Sequence, residues 1–225
     1  MRNSTITESQ TPSSTAVEVG RQLATQYITQ EARAGRLLVL NKSLNVDHEK
    51  KLVFVHNPKC MGTSLRKWLG IRIDNADHRY PSLMVNRATW ENYRTIVVVR
   101  HPMDRFVSSY NFHCRSPYNG GYLRTYPDLK SWSMERYFHT MTEQQSFAVA
   151  PQWRYTMHIE TDTPVVHLVR FEDPGRELAR IAMSMNLPPM EHKLNQNASD
   201  KLQPSQNFRA TLEQYYAKDF ELFGY

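Results

Sequence analysis

Three short runs of apolar residues stand out along the chain, at residues 52–55, 95–99 and 164–169. The first two are rich in β-branched residues, and all three lack the polar alternation of a half-exposed strand. This pattern is typical of parallel strands that are covered on both faces. Each run therefore predicts a buried β-strand, and a shorter run at residues 37–40 fits either an edge strand or the end of a helix.

Amphipathic segments separate these runs and predict helices, because their apolar residues recur at three- and four-residue intervals. Asp128 is the predicted cap of one helix, and Asp173 with Pro174 is predicted to begin another. The predicted helices cover residues 16–34, 63–69, 83–93, 103–112, 128–140, 173–185 and 207–220. The remaining stretches at 116–127 and 187–204 are predicted as connections.

The alternation of strands and helices predicts an α/β fold built as a three-layer, mostly parallel sheet. Ligands of such sheets bind in the loops at the carboxyl ends of the strands. The loops that follow Val55 and Val99 are therefore the first places to look for chemistry.

Length and composition fit one domain behind a polar tail. The chain has 225 residues, of which 40% are hydrophobic, and this content is sufficient for a packed core. Eight of the first fifteen residues are Ser or Thr, so residues 1–15 are predicted to be a disordered tail. Residues 16–225 are then expected to form a single domain.

Charge and cysteine content narrow the possible partners. The net charge of +6 favours anionic partners, although an ordinary basic surface explains it as well. Two cysteines are too few for a disulfide framework, and no cysteine and histidine cluster has metal-ligand spacing. No apolar run is long enough to span a bilayer. We expect a cytoplasmic protein with free thiols, no metal and no membrane association.

The loop after the first strand has the composition of an anion site. Lys59 supplies a cation, Gly62 lets the backbone come close to an anion, and Thr63 and Ser64 offer hydroxyl groups at a helix start. A Walker loop places its lysine directly before Ser or Thr, whereas here the lysine comes first. The loop is therefore P-loop-like without being a triphosphate motif, and an ordinary capped helix is the alternative.

The end of the second strand carries a second set of phosphate-binding residues. Arg100 follows the strand directly, and its guanidinium can hold a phosphate with two parallel hydrogen bonds. Ser108 lies about two helical turns further on and can share that phosphate. The alternative is a local ion pair between Arg100 and Asp104.

Together, residues 57–65 and 97–110 resemble the two motifs of the sulfotransferase superfamily that bind 3′-phosphoadenosine 5′-phosphosulfate (PAPS). The first is similar to the loop for the 5′-phosphosulfate, and the second to the element for the 3′-phosphate. The likeness covers residues 52–225 and is closest to carbohydrate sulfotransferases related to the heparan sulfate 2-O- and chondroitin enzymes, bacterial members included. Cys60 and Met61 depart from the usual loop residues, which puts the acceptor in doubt.

The resemblance also implies a catalytic histidine before the second motif, and His78 lies in this interval. A positioned histidine can take the proton of the attacking hydroxyl while Lys59 stabilises charge on the transferred group. His56, His101 and His113 are weaker candidates for the same role. The eukaryotic relatives are anchored in the Golgi membrane, whereas no anchor is visible in this sequence.

Two other classes of function remain open. A nucleotide or small-molecule kinase would need a Walker lysine and a Mg²⁺-binding aspartate, and neither is properly placed. A non-catalytic binder of nucleic acid or acidic glycan would use the basic charge and aromatic residues. We expect a carbohydrate or other hydroxyl acceptor rather than nucleic acid. Gln152, Trp153 and Arg154 are expected near the acceptor, with a core position as the equal alternative for Trp153. The sequence does not define the oligomeric state.

Overall fold

A computed structural model of the protein describes residues 43–71, 77–116, 122–161, 163–190 and 202–225. The predicted tail, the predicted helix at 16–34 and the apolar run at 37–40 lie outside the described residues. Most of the predicted connection at 187–204 lies outside them as well.

Four strands form one sheet in the order β1–β2–β3–β4. The strands are β1 (Val46–Asp47), β2 (Leu52–Val55), β3 (Arg94–Val99) and β4 (His167–Arg170). β1 is antiparallel to β2, whereas β2, β3 and β4 run parallel to one another. The prediction of a mostly parallel sheet is confirmed for these residues, and the two-residue β1 is an addition that the apolar pattern did not indicate.

Helices and helical turns connect the strands. The α-helices are α1 (Gly62–Trp68), α2 (Pro81–Met84), α3 (Arg87–Asn92), α4 (Pro102–Tyr110), α5 (Tyr122–Thr125), α6 (Met134–Glu143), α7 (Gly175–Met185), α8 (Gln206–Tyr215) and α9 (Ala217–Phe223). A π-helical segment, Asn111–Arg115, continues α4, and 3₁₀ turns cover Leu129–Ser131 and Gln152–Tyr155.

Both faces of the sheet are covered, as its continuous apolar strands predict. Alternate side chains of β2 and β3 point to opposite faces, so Phe54 and Ile96 pack on one side while Val55 and Val97 pack on the other. The first face meets α1 and α7, and the second meets α2, α3 and the 3₁₀ turn at 152–155. The result is three layers, in which each fully buried aliphatic side chain contributes roughly 1.5–3 kcal/mol.

A separate aromatic cluster packs α4, α6 and α8 together beside the sheet. Phe106, Phe138 and Phe208 form mutual edge contacts with ring centroids 5.6–5.9 Å apart. Tyr216 is fully buried in the same cluster, and its hydroxyl donates to the backbone oxygen of Val149 over 2.8 Å. This cluster fixes the C-terminal helices against the helix that follows β3.

Several predicted boundaries are wrong, and capping side chains explain two of them. The predicted helix at 83–93 is two helices, because Asn86 leaves helical geometry and its side chain accepts from the Thr89 N–H to start α3. The predicted cap Asp128 precedes only a 3₁₀ turn. Ser133 begins α6 instead, with its hydroxyl accepting from the Arg136 N–H.

Three further segments differ from the prediction. The strand predicted at 164–169 begins only at His167, since Pro164 has no N–H for a ladder and forms a single isolated bridge with Met157. The closing helix is broken at Tyr216 into α8 and α9. The helix predicted at 173–185 begins two residues later, after Pro174.

Candidate active site

The loops after β2 and β3 lie side by side because these strands are parallel neighbours. The guanidinium of Arg100 reaches across, and its Nη1 donates to the backbone oxygen of Lys59 over 3.4 Å. At the start of the first loop, the Asn57 amide donates to the Val98 backbone oxygen over 2.9 Å. The two segments singled out in the sequence are therefore in direct contact.

The first loop contains two residues in the left-handed backbone region. Lys59 has φ 65° and Met61 has φ 44°, and both carry a Cβ atom. Such a conformation costs roughly 1–2 kcal/mol per residue and persists only where the surroundings hold it. This loop therefore stores backbone strain at the edge of the sheet where ligands of parallel sheets bind.

Gly62 has a role that the sequence did not indicate. A Cβ atom at this position would lie 1.8 Å from Nε2 of His56, so the imidazole occupies the place of a side chain. The prediction assigned Gly62 to the close approach of an anion. The structure shows in addition that Gly62 makes room for His56, which is buried, and the approach of an anion to the Gly62 backbone stays a prediction.

Thr63 and Ser64 are exposed in the first turn of α1. Met61 is the cap residue of this helix and supplies no side-chain cap. Both hydroxyl groups therefore face solvent beside the strained loop, as the prediction requires, and their contact with an anion stays a prediction.

Lys59 and Arg100 form what we call the cationic pair. The Lys59 ammonium lies 3.9 Å from the ring centroid of Phe112, and the Arg100 guanidinium lies 4.4 Å from that of Phe171. Both contacts are cation–π interactions that hold the charges in place. Neither cation forms a salt bridge with any carboxylate in the part of the chain that the structure describes, which excludes the alternative pair of Arg100 with Asp104 there.

The electrostatics of the cationic pair favour an anion. Burial, together with the positive charge of Arg100, lowers the pKa of Lys59 to about 8. The Nε atom of Arg100 is buried and has no hydrogen-bond partner among the described residues. Two like charges with an unsatisfied donor are costly unless a negative group joins them.

Ser108 is half-buried in α4. Phe112, which supports the ammonium of Lys59, follows it by about one helical turn. Residues at this spacing share a helix face, so Ser108 lies on the side of the helix toward the first loop. Its predicted contact with a phosphate is not tested by these contacts.

His78 lies beside the first loop and is held by it. Its Nδ1 is 2.9 Å from the backbone oxygen of His56, and the two imidazole rings are 4.2 Å apart. A carbonyl can only accept, so Nδ1 carries the proton and Nε2 has the free lone pair. Burial lowers the pKa of His78 below its usual value, which keeps the ring neutral at pH 7. In this tautomer Nε2 is the nitrogen able to accept a proton, and a role as base stays a prediction.

The rival histidines are less suited to proton transfer. Burial and the neighbouring His78 lower the pKa of His56 to about 2, and its ring is packed against Gly62. His101 packs edge-on against Phe220 at the start of α4. Burial and the charge of Lys59 lower the pKa of His113 to about 4, and its Nδ1 lies 2.6 Å from the Tyr137 hydroxyl.

The thiols take no part in this chemistry. Cys60 and Cys114 are both free and buried, as predicted. Burial raises the pKa of each thiol to about 12, so neither is a thiolate near neutral pH. Within the described ranges, no group of three or more potential metal ligands is found, and no helix is long and apolar enough to cross a membrane.

Sequence reasoning missed the aromatic and amide groups that support the cationic pair. Phe112 could have been found from the sequence, because it follows Ser108 by about one helical turn and so lies on the same helix face. Gln152 was expected near the acceptor, yet it is fully buried between the two loops. Nothing in the sequence pattern links Gln152 to Asn57 or Arg100, because the contacts span long separations.

Comparison with known families decides the class of protein. A family model described as the sulfotransferase family matches residues 42–157, just over half of the chain. The chain belongs to the sulfotransferase family. The match contains both loops, His78 and the cationic pair, and it ends two residues beyond the 3₁₀ turn at 152–155. Comparisons with curated proteins and with solved structures returned no match.

Membership confirms the predicted class of enzyme at the level of sulfuryl transfer. Sulfotransferases generally use PAPS as the sulfuryl donor. The family match does not extend to the C-terminal helices of this sulfotransferase, although Phe171, which lies beyond the match, packs against Arg100 of the site.

Proposed function

We propose that this sulfotransferase binds PAPS across the two loops and transfers its sulfuryl group to a hydroxyl group of a carbohydrate. The observation that carries the proposal is the cationic pair. Lys59 and Arg100 are in contact through the backbone of the first loop, and no carboxylate of the described residues pairs with either. A nucleotide with an anionic group at each end would supply the missing negative charge.

The residues present fit the two ends of PAPS. Lys59, with the hydroxyl groups of Thr63 and Ser64, suits the 5′-phosphosulfate, since one cation and several hydrogen-bond donors face the same region. The 3′-phosphate suits Arg100, whose Nε has no partner among the described residues, together with Ser108. Gly62 contributes indirectly, because it admits the His56 ring that supports the loop.

His78 is the proposed base. Its Nδ1 is committed to the His56 backbone oxygen, which leaves Nε2 to take the proton of the acceptor hydroxyl. PAPS, when bound, supplies a sulfuryl group attached to a phosphate leaving group. As the acceptor oxygen bonded to sulfur, the bond between sulfur and the 5′-phosphate oxygen would break and adenosine 3′,5′-bisphosphate would leave, with Lys59 placed to stabilise the negative charge on that oxygen. His78 then releases its proton to solvent.

A carbohydrate is the proposed acceptor for two reasons. The resemblance of both motifs is closest to the carbohydrate branch, and the net charge of +6 favours an acidic polysaccharide. Neither His78 nor Lys59 distinguishes a sugar hydroxyl from another alcohol. The acceptor is therefore the part of the proposal that an acceptor screen must establish.

The test is transfer of a labelled sulfuryl group from PAPS to a panel of acceptors. The panel contains heparan and chondroitin polysaccharides, neutral glycans, a tyrosine peptide and a small alcohol. We expect label on a polysaccharide, with transfer unchanged by a metal chelator. Label on the peptide or alcohol alone would reject the carbohydrate acceptor, and no label on any acceptor would reject the enzyme activity.

A further inference from the structure

The side-chain amide of Gln152 lies between the two anion-binding segments. Its Oε1 accepts from the Asn57 amide over 3.0 Å and from the Arg100 backbone N–H over 2.9 Å. Its Nε2 donates to the Arg100 backbone oxygen over 2.6 Å. One amide therefore satisfies both backbone groups of Arg100 just beyond the end of β3, as a neighbouring strand would do.

Gln152 is in turn fixed by Asp219 from α9. One carboxylate oxygen accepts from the Gln152 N–H over 2.8 Å, and the other accepts from the Trp153 N–H over 2.9 Å. Both Gln152 and Asp219 have no exposed surface. Since each carboxylate oxygen has its own donor, the backbone of the 3₁₀ turn is held at two points.

The residues just before Gln152 are also tied down. The Tyr216 hydroxyl donates to the Val149 backbone oxygen, and the Arg105 guanidinium donates to the Ala150 backbone oxygen. Arg105 belongs to α4, the helix that follows Arg100, and it is completely buried. The segment that carries Gln152 is therefore anchored by both the C-terminal helices and α4.

We propose that Gln152 is a positioning residue that sets Arg100 and the Asn57 loop relative to each other, and that Asp219 acts through it. This inference rests on the function proposed above, because it concerns the site for the 3′-phosphate. It makes α9, which lies outside the family match, part of the support of the donor site. Gln152 does not contact substrate in this account.

Hydrogen exchange and nucleotide binding test the proposal together. Gln152→Ala removes the amide and all its hydrogen bonds, including one from the Cys60 thiol to Oε1, so exchange of the Arg100 N–H should become at least tenfold faster. The affinity for adenosine 3′,5′-bisphosphate should fall about tenfold. Gln152→Glu keeps the size and the acceptor but loses the donor, and Asp219→Asn loses one acceptor. Both should show the same changes to a smaller degree, which keeps the test usable should Gln152→Ala fail to fold.

Two controls separate positioning from general destabilisation. Gln214→Glu and Glu221→Gln alter exposed residues of α8 and α9 and should change neither measurement. In an Arg100→Ala background, the substitution Gln152→Ala should weaken binding by much less than tenfold, because the part of its effect that acts through Arg100 is already lost. Unchanged Arg100 exchange, or a full tenfold loss in that background, would overturn the positioning role. A wild-type protein that does not bind the nucleotide would instead reject the proposed function.

Discussion

Arg100 and Arg105 lie five residues apart, and the fold places them in opposite environments. Arg100 stands at the edge of the sheet, stacked on Phe171, with a buried Nε that has no partner among the described residues. Arg105 has no exposed surface, donates to the Ala150 backbone oxygen and lies near the carboxylate of Asp219. This difference in surroundings is the basis for the proposed ligand role of Arg100 and for the structural role of Arg105.

The comparison extends to the groups around each arginine. The region of Arg100 contains like charge and left-handed backbone, with Lys59 as its neighbour. The region of Arg105 contains a compensating acid and the buried Tyr216 ring, 5.6 Å from the guanidinium. The buried Nε and Nη1 of Arg105 also lack hydrogen-bond partners among the described residues, so the two arginines differ in the charges around them and not in how completely their donors are satisfied.

The largest expected effect is loss of stability when Arg105 is removed. Arg105→Ala should lower the free energy of unfolding by about 3 kcal/mol or more, because Asp219 is left buried without a nearby cation. Arg100→Ala should change it by less than about 1 kcal/mol. Chemical denaturation of the two variants measures both values, and equal losses would remove the distinction between the two arginines.

The next largest effect concerns the proposed base. His78→Ala should reduce kcat by about 100-fold or more while leaving the affinity for adenosine 3′,5′-bisphosphate unchanged, since the base acts only on the acceptor. His48→Ala, which replaces a histidine outside the site, is the matched control and should change neither kcat nor the affinity for the nucleotide. Near-normal turnover of His78→Ala would show that another group is the base. His113 would then be the first residue to examine.

A third prediction addresses Arg100 as a ligand of phosphate. Arg100→Ala should weaken nucleotide binding by about 10- to 100-fold, because a charged hydrogen-bonding group is lost. Arg94→Ala removes an exposed arginine at the other end of the same strand and should have no effect. Calorimetric titration compares the two variants, and similar losses in both would show that only net charge matters.

The smallest effect is a pH dependence that separates the two regions. Lys59 has a pKa of about 8 in the folded protein, below its usual value, so its positive charge is present below pH 8 and lost above it. Nucleotide binding should therefore weaken a few-fold between pH 7 and 9. Lys59→Met should abolish this weakening of nucleotide binding between pH 7 and 9. If the weakening is unchanged in that variant, another group is responsible for it.

The same lowered pKa has a consequence for stability. The folded protein releases the Lys59 proton at about pH 8, whereas the unfolded chain keeps it up to the usual lysine pKa. Between these values the unfolded state binds more protons, so Lys59 contributes an increase in stability as the pH rises. An increase in stability with pH is the dependence expected of a partly buried lysine whose charge is positioned to meet a ligand.

The strands and the layer order could be predicted because continuous apolar runs require burial on both faces. β2 and β3 agree with their predicted spans within one residue. The break between α2 and α3 could not be predicted, since Asn86 also fits a helix interior and only its cap on Thr89 shows otherwise. The choice between Asp128 and Ser133 as a cap depends on how the chain enters α6.

In the candidate site, too, some residues could be predicted from the sequence and others could not. Lys59 and Arg100 were predictable because each follows a buried strand and neighbouring parallel strands bring such loops together. The roles of Gln152, Asp219 and Phe171 were not, because each contributes through a contact that depends on tertiary packing. The need for a glycine at position 62 to admit the His56 ring was not predictable either, because it depends on tertiary packing.

The central claim is that the cationic pair is a site for a nucleotide with phosphates at both the 3′ and 5′ positions. Calorimetric titration of the wild-type protein with adenosine 3′,5′-bisphosphate tests it most directly, with adenosine 5′-monophosphate and ATP–Mg²⁺ as comparison ligands. The account predicts saturable binding of the bisphosphate, at least tenfold tighter than either comparison ligand. No saturable heat up to about millimolar bisphosphate, a range that covers affinities worth about 4 kcal/mol or more, would contradict it.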